Sequence, residues 1–265
     1  SISFSWAAKS FHPVTTYSIV AFDKESGQMG VAVQSHWFSV GSIVSWAESG
    51  VGAVATQSFV EVSYGPLGLQ LMRGGKTAPQ ALVALLSVDK HKTVRQVAMV
   101  DVKGRVAVHT GKMCIPEAGH HKGKHYSCQA NMMENNTVWK AMSKAYESTS
   151  GELVDRLMAS LEAAENEGGD IRGRQSAAIL VVSTKPSGTP WQDRIYDLRV
   201  EDHPQPLKEL KRLITVAKAY NHMNKGDEHL TKNDVEAALK EYTLAMKIYP
   251  ENPEMVFWPA VTLAA

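Results

Sequence analysis

The first clear pattern in the chain is a pair of short, β-rich runs near its N-terminus. Thr15–Asp23 combines β-branched, aromatic and aliphatic residues, and Met29–Ser35 follows after a turn at Glu25-Ser26-Gly27. Two such runs joined by a turn that contains glycine are typical of a β-hairpin. The pattern therefore predicts two paired strands, at about Tyr17–Phe22 and Met29–Gln34.

Beyond this hairpin, the hydrophobic pattern alternates between strand-like and helix-like stretches. Short apolar runs between turn residues predict strands, and apolar residues at helical spacing predict amphipathic helices. The order is strands, two helices, strands, two helices and strands, which predicts an α+β fold with helices on both faces of stacked sheets. The predicted strands are Ile43–Trp46, Val51–Gln57, Val94–Val100, Arg105–His109, Ala177–Ser183 and Ile195–Val200. The predicted helices run from Tyr64 to Gly74-Gly75 and over Pro79–Ser87, Val138–Ser148 and Leu153–Asn166. Gly111–Ser127 is predicted to be a loop.

The composition changes at Glu201–Pro206, where two prolines indicate a linker. Leu207–Thr231 and Asp234–Tyr249 then predict a helical hairpin. Its small residues, aromatic residue and closing proline have the spacing of a tetratricopeptide repeat, which is about 34 residues long. A generic helical hairpin is the alternative. The residues with this spacing are Gly226, Ala238, Tyr242, Ala245 and Pro250.

The sequence therefore divides into an N-terminal arm at residues 1–15, a main domain at residues 16–203 and a helical tail at residues 204–265. Met255–Ala265 resembles the first helix of a second repeat, truncated where the sequence ends. Because a single repeat cannot bury its own apolar faces, we expect the tail to continue in a longer chain or to pack on the main domain or a second subunit. The tail thus predicts a homo-oligomer or a protein partner.

Composition and charge narrow the classes of function. The 265 residues carry a formal net charge of +1 and are 44% hydrophobic, which is enough for a sizeable core. Basic residues do not cluster with aromatic ones, so nucleic acid is not a predicted partner. No apolar run approaches the roughly 18 residues that span a bilayer, so no membrane span is predicted. No cofactor and no metal are predicted.

Two cysteines, Cys114 and Cys128, leave three alternatives open. A disulfide would close a loop of 15 residues, and a loop of that size stabilises a fold by about 3 kcal/mol on a chain-entropy argument. Two free thiols, or a zinc site with His120, His121 and His125, are the alternatives, although the C-x2-C spacing typical of zinc is absent. A disulfide and a sequence that does not begin with Met predict a periplasmic or extracellular protein, with the cytoplasm as the alternative.

The head of the first strand carries the leading candidate for chemistry. Thr16 opens this strand, and a Thr or Ser in that position of a buried hairpin is how an N-terminal nucleophile is held. The hydroxyl attacks, and the residue's own α-amino group, with a pKa of roughly 7.7–8.0, is the base. The alternative is a purely structural threonine, since Thr is common in strands.

A polar turn before the Ala177 strand is the second candidate site. Its sequence is Asp170-Ile171-Arg172-Gly173-Arg174-Gln175-Ser176. Arg172 and Arg174 can hold a substrate carboxylate through paired hydrogen bonds while Asp170 orients them, and Gln175 is assigned to the same substrate-binding group. An ordinary ion-paired loop is the alternative, although loops at strand ends are common places for binding groups.

Several motifs occur in an order that is specific to one family. They are Thr16–Asp23, Gly30–Gly41 (GVAVQSHWFSVG), Gly50–Gln57 (GVGAVATQ), Ser63–Leu67 (SYGPL), Cys114–His120 (CIPEAGH), Gln129–Met133 (QANMM), Gly169–Leu180 (GDIRGRQSAAIL) and Asp197–Pro204 (DLRVEDHP). Together they resemble the Ntn-hydrolase-like family known as domain of unknown function ten twenty-eight, over roughly Thr15 to Leu213. The resemblance implies a four-layer αββα sandwich with Thr16 as the candidate nucleophile, and it places His36 where some members have Lys.

The resemblance and the position of Thr16 predict an Ntn-type amidohydrolase that acts on a small amide or peptide-like substrate. Gln57 or backbone N–H groups would stabilise the oxyanion, and a charge on His36 would tune the nucleophile. Fifteen residues precede Thr16, so its nitrogen is an amide until that bond is cleaved. The alternative is a non-catalytic binding or assembly protein that uses the same scaffold and recognises partners through the helical tail.

Overall fold

The computed structural model describes residue 14 and residues 16–264, which form two antiparallel sheets and eight α-helices. One sheet has six strands in the order β10-β9-β2-β1-β8-β7, and the other has four in the order β3-β4-β5-β6. The strands are β1 (Thr16–Asp23), β2 (Gln28–Ser35), β3 (Ser45–Glu48), β4 (Gly52–Ser58), β5 (Arg95–Asp101), β6 (Val106–Thr110), β7 (Gly119–Lys122), β8 (Tyr126–Asn131), β9 (Ser176–Ser183) and β10 (Arg194–Val200). The helices are α1 (Gly41–Val44), α2 (Tyr64–Arg73), α3 (Ala78–Val88), α4 (Val138–Ser148), α5 (Leu153–Asn166), α6 (Pro206–Thr231), α7 (Val235–Ile248) and α8 (Glu254–Ala264).

The two sheets enclose the main core between their inner faces. Side chains alternate between the faces of a strand, so Val20 of β1 and Val31 of β2, which are opposite each other, both point inward. They pack with Ala55 and Ala98 of the four-stranded sheet, all of them fully buried. This arrangement explains why the β1 and β2 runs are apolar on both faces: one face meets the second sheet and the other meets helices.

Helices cover the outer face of each sheet. α2 and α3 pack on the four-stranded sheet, where Leu69 and Ala81 meet Val97 and Met99 in a second core. α4 and α5 pack on the outer face of the six-stranded sheet. The predicted α+β fold, with stacked antiparallel sheets and helices on both outer faces, is therefore confirmed.

Two local predictions are wrong. The predicted strand Ile43–Trp46 begins instead as the short helix α1, whose Gly41 carbonyl accepts the Ser45 hydroxyl at 2.7 Å, and extended backbone starts only at Ser45. The predicted loop Gly111–Ser127 contains β7 and the first residues of β8. These strands escape a hydrophobic pattern because β7 is a polar edge strand and β8 places amide side chains, not aliphatic ones, between the sheets.

The predicted disulfide is also wrong, because both cysteines are free and buried. Cys128 lies on the outer face of β8, 3.8 Å from the Ser160 hydroxyl oxygen of α5. Cys114 donates its thiol to the Arg95 carbonyl at 3.4 Å, at the start of β5 in the other sheet. The six-stranded sheet therefore separates the two thiols, and the argument for export that relied on a disulfide no longer holds.

We expect both thiols to be unreactive in the folded protein. Burial raises the pKa of Cys114 and of Cys128, which lowers the fraction of reactive thiolate. Titration with a thiol reagent should count two reactive groups per chain only after denaturation, and a reducing agent should leave the melting temperature unchanged. A non-reducing peptide map that contains a linked Cys114–Cys128 pair would contradict this expectation.

Residues Lys208–Ala265 form a second compact unit. Its core brings together Ala238, Tyr242 and Ala245 of α7 with residues of α6. Gly226 of α6 lies directly against the Tyr242 ring, where a Cβ would collide with it, and the Tyr242 hydroxyl donates to Asp227 at 2.6 Å. These contacts explain the spacing noted in the sequence, and the assignment to a tetratricopeptide repeat stays a prediction.

The last helix of this unit exposes large apolar side chains. Val256, Phe257, Trp258 and Val261 of α8 are each about half exposed, and the Phe257 and Trp258 rings pack edge to face at 5.0 Å between centroids. None of the described helices combines the length and the apolar character needed to cross a bilayer.

Candidate functional site

Four strands of the six-stranded sheet have their ends side by side at one end of the sheet. β1 begins at Thr16, which lies opposite Ser35 at the end of β2 and opposite Asn131 at the end of β8. Ser35 also lies opposite Ser176, where β9 begins. Antiparallel pairing places the start of one strand beside the end of its neighbour. Thr16 and the polar turn that precedes β9 therefore lie at the same end of the sheet.

Thr16 is fully buried at this end of the sheet, with its side chain on the inner face. Its hydroxyl donates a hydrogen bond to the carbonyl oxygen of Val14 at 3.0 Å. Val14 is itself fully buried, and its backbone exchanges two hydrogen bonds with Ser58, at 2.7 and 3.1 Å. The hydroxyl of the candidate nucleophile is therefore held by the backbone of Val14.

A buried network of amide side chains supports the backbone at Thr16. Gln57 Nε2 donates to the Thr16 carbonyl oxygen at 3.1 Å and to Gln96 Oε1 at 2.7 Å, and Asn131 Nδ2 donates to the same Gln96 oxygen at 3.0 Å. Gln57 Oε1 accepts the Ser18 hydroxyl at 2.5 Å. Buried polar groups stabilise a fold when they are paired, so this network fixes the head of β1. Gln57, predicted to stabilise an oxyanion, contacts the carbonyl of Thr16 and not its hydroxyl.

Asp170 anchors the polar turn to the end of β2. Its fully buried carboxylate accepts the backbone N–H of His36 at 3.0 Å through Oδ2. It also binds Arg172, whose backbone N–H donates at 3.0 Å and whose guanidinium donates at 3.2 Å from Nε and 3.0 Å from Nη2. The structure thus brings together Asp170, Arg172 and His36, and the His36 imidazole lies 3.3 Å from the Arg174 carbonyl oxygen.

Arg174 has a different carboxylate partner from Arg172. It forms an ion pair with Glu165 of α5, and the second Glu165 oxygen accepts the Tyr17 hydroxyl at 2.6 Å. Burial, and then the neighbouring Glu165 carboxylate, raise the Tyr17 pKa well above its usual value, so Tyr17 keeps its proton and donates a hydrogen bond to Glu165. Arg174 is therefore held by Glu165 and not by Asp170.

Gln175 takes part in the same turn mainly through its backbone. Its N–H donates to the Ser35 carbonyl at 3.2 Å, and its side-chain amide reaches Asp202 at 3.3 Å. The hydrogen bond to Ser35 joins the turn to the residue opposite Thr16. Gln175 therefore helps to hold the polar turn against the end of β2, next to the candidate site.

Asn131 and Gln96 are neighbours of Thr16 that sequence reasoning misses. Asn131 lies inside the motif QANMM, but nothing local shows that it will lie opposite Thr16. Its Oδ1 atom is buried and has no hydrogen-bond partner within the part of the chain that the structure describes. A buried acceptor without a donor is unfavourable, which marks the space beside Thr16 as a place for a further N–H or O–H group.

Two open cavities lie on the surface of the described residues, and Thr16 lines neither of them. One cavity of about 530 Å³ is lined by His121, Lys140 and Lys144. A second, also about 530 Å³, lies at the far end of the β1–β2 hairpin and includes Asp23 and Arg156. Among the described residues, no group of three or more His, Cys, Asp or Glu side chains could hold a metal ion. Thr16 itself is fully buried, and so is Val14, whose carbonyl oxygen accepts the Thr16 hydroxyl.

Comparison with known proteins identifies the family. Residues 16–210 match the model of the family of unknown function (DUF1028). Among solved structures, the chain is similar to the crystal structure of protein SPO2555 from Silicibacter pomeroyi, itself matched to the DUF1028 family model, with 30% sequence identity and a TM-score of 0.69 over 77% of this chain and 86% of that one. No curated protein matches. The family resemblance predicted from the motifs is confirmed, and the chain belongs to the family of unknown function DUF1028.

Proposed function

We propose that this chain is an N-terminal-nucleophile amidohydrolase that acts on a small amide or peptide-like substrate. The observation that carries the proposal is the position of Thr16, fully buried at the head of a central strand where four strand ends meet. The resemblance of the motifs to an Ntn-hydrolase-like family, which implies Thr16 as the nucleophile, supports it. The stacked sheets with their two helix layers would then be the αββα sandwich of this class of enzymes.

The first chemical step is the release of the Thr16 amine. Hydrolysis of the peptide bond between Thr15 and Thr16 leaves a carboxylic acid on the first residue and an α-amino group on the second. The Thr16 hydroxyl can do this itself by attacking the preceding carbonyl carbon, which breaks the C–N bond and forms an ester that water then hydrolyses. An external protease would give the same product.

Turnover follows the same chemistry on an external amide. The neutral amine takes the proton of the Thr16 hydroxyl, and the oxygen attacks the substrate carbonyl. The C–N bond breaks, the amine product leaves with that proton, and water hydrolyses the ester to release the acid and restore the hydroxyl. Backbone N–H groups at the converging strand ends would stabilise the oxyanion, since Gln57 already donates within its network.

Arg172 would hold a carboxylate of the substrate. Its guanidinium is fixed by Asp170 and its side chain is 27% exposed, so it can reach a ligand while keeping its orientation. A preorganised guanidinium recognises a carboxylate through two parallel hydrogen bonds. His36, which is joined to the same turn, would add a charge only when protonated.

The direct test is the mass of the purified protein over time, combined with N-terminal sequencing and a panel of amide substrates. We expect a new N-terminus at Thr16 and hydrolysis that appears together with it. The Thr16→Ala chain should keep residues 1–15 if cleavage is autocatalytic. Hydrolysis by a chain that keeps the bond before Thr16 intact would overturn the proposal.

Asn131 would position the freed amine, and its replacement should change the pH profile. Its unpaired Oδ1 lies in register with Thr16 and can accept a hydrogen bond from the amine. In Asn131→Asp, the added negative charge favours the protonated amine and raises the amine pKa. Since only the neutral amine is a base, the pH at which the rate reaches half its maximum should rise by about one unit. Asn136→Asp, the same change at an exposed position, should leave the profile unchanged.

A binding or assembly role is the second candidate function, and the exposed apolar face of α8 favours it. In this role the helical tail would mediate contacts with a protein partner or a second copy, and Thr16 would be structural. A protein whose tail face is made polar by Phe257→Ser and Trp258→Ser, but which keeps its partners and its oligomeric state, would count against this role.

A further inference from the structure

The segment before Thr16 changes sheets within two residues. Val14 forms an antiparallel bridge with Ser58 at the end of β4, in the four-stranded sheet. Thr16 begins β1 in the six-stranded sheet, paired with Ser35 and Asn131. Val14 therefore lies on the acyl side of the bond that precedes the nucleophile, paired with the end of a strand of the other sheet.

Val14 fills this position with both its backbone and its side chain. Its N–H donates to the Ser58 carbonyl oxygen at 2.7 Å, and its carbonyl oxygen accepts the Ser58 N–H at 3.1 Å and the Thr16 hydroxyl at 3.0 Å. The side chain is fully buried and belongs to the apolar core between the sheets. Val14 alone therefore pairs with both backbone groups of Ser58 and fills part of the apolar core.

If the segment that contains Val14 left, the vacated site would need a ligand with both a backbone that pairs with Ser58 and an apolar side chain. The Ser58 N–H and C=O would each lose a partner, and buried backbone groups without partners are strongly unfavourable. An apolar cavity the size of a valine side chain would open beside them. Ser58 also has a φ of 71°, a left-handed conformation that is rare for a residue with a side chain and that clusters at functional sites.

We propose, on the basis of the proposed function, that the substrate is an extended peptide or peptide-like amide with a branched aliphatic residue at the second position on the acyl side of the scissile bond. That residue takes the place of Val14. Its backbone pairs with Ser58 in both directions, as when a peptide adds a strand to a sheet edge, and its side chain enters the core. The carbonyl of the next residue is then presented to the Thr16 hydroxyl, and the C–N bond that breaks is the one following that carbonyl.

The test uses an acetylated peptide of residues 10–15, SFHPVT, offered to the full chain in two forms. In uncleaved wild type Val14 already fills the site, so the peptide should not bind. In Val14→Asp a charge replaces the buried valine, the segment is displaced, and the peptide should bind. A peptide with Asp at the valine position, or with an N-methylated valine, should bind at least ten times more weakly, because the first cannot enter the apolar cavity and the second cannot donate to Ser58.

A chain cut proteolytically to begin at Thr16 is the second protein tested, in case Val14→Asp does not fold, and circular dichroism verifies the fold of both. Equal binding of the three peptides to a folded protein, or no binding to either protein, would overturn the inference. The two proposals fail differently in the hydrolysis assay with matched peptide amides. Hydrolysis without any preference for an aliphatic second residue overturns this inference alone, whereas selective binding without hydrolysis overturns the amidohydrolase and leaves the peptide-binding site.

Discussion

Thr16→Ala abolishes amide hydrolysis in our account, with a loss on the order of 10⁴-fold or more, as expected when a nucleophile is removed. The substitution deletes the oxygen that attacks the carbonyl. Thr16→Ser keeps that oxygen and should retain much of the rate. The measurement is the initial rate on a panel of amides, each protein being present at the same concentration and in the same cleavage state.

Thr231→Ala is a matched control for this prediction, because it removes the same kind of hydroxyl, which donates to the Glu228 carbonyl, at an exposed position that a chain beginning at Thr16 retains. It should leave turnover of external amides close to that of wild type. Melting temperatures of the variants should be measured beside the rates, since the Thr16 hydroxyl also donates to the Val14 carbonyl and its loss costs about 1 kcal/mol. Unchanged hydrolysis by Thr16→Ala would remove Thr16 from the mechanism.

Asp170→Asn should destabilise the protein and disturb the candidate site together. The buried carboxylate accepts the backbone N–H groups of His36 and Arg172 and two guanidinium N–H groups. An amide offers one oxygen in place of two and turns an N–H group toward other N–H donors. We expect a loss of about 2 kcal/mol in the free energy of unfolding, the usual result of leaving buried donors unpaired, together with weaker binding of carboxylate-containing substrates.

Asp197→Asn is the matched control for the charge change. Asp197 pairs with Arg194 and Arg199, which are both more than a third exposed, and exposed ion pairs contribute about 0–1 kcal/mol. The difference between the two variants in chemical denaturation measures the contribution of the buried site. An Asp170→Asn protein that is as stable as Asp197→Asn would show that the hydrogen bonds of Asp170 to His36 and Arg172 do not stabilise this end of the sheet.

The sequence predicts the parts of this fold in which apolar residues carry the signal. β1, β2, β4, α3, α4 and α5 are found close to their predicted bounds, because each contributes an aliphatic face to a core. β7 and β8 are missed for the opposite reason. The inward side of β8 carries Ser127, Gln129 and Asn131, which are buried through hydrogen bonds to other polar side chains and not through hydrophobic contacts.

The candidate site is predictable only where its residues lie near each other in sequence. Asp170 and Arg172 are two residues apart, and their contact could be expected from a polar turn. The sequence predicts the same carboxylate partner for Arg174, yet Arg174 pairs with Glu165 on α5, since helix packing and not sequence distance decides its partner. Gln96 and Asn131 meet beside Thr16 through strand pairing alone, which a pattern of single residues does not contain.

The central claim is that the amino group of Thr16 is the base of an amide hydrolysis. The most direct measurement compares two chains that begin at Thr16, one with a free α-amino group and one with that group acetylated. The account predicts that the free chain hydrolyses amides with a rate that rises as the pH passes through about 7.7–8.0, where the amine loses its proton, and that the acetylated chain is inactive. Equal rates from the two chains would contradict it.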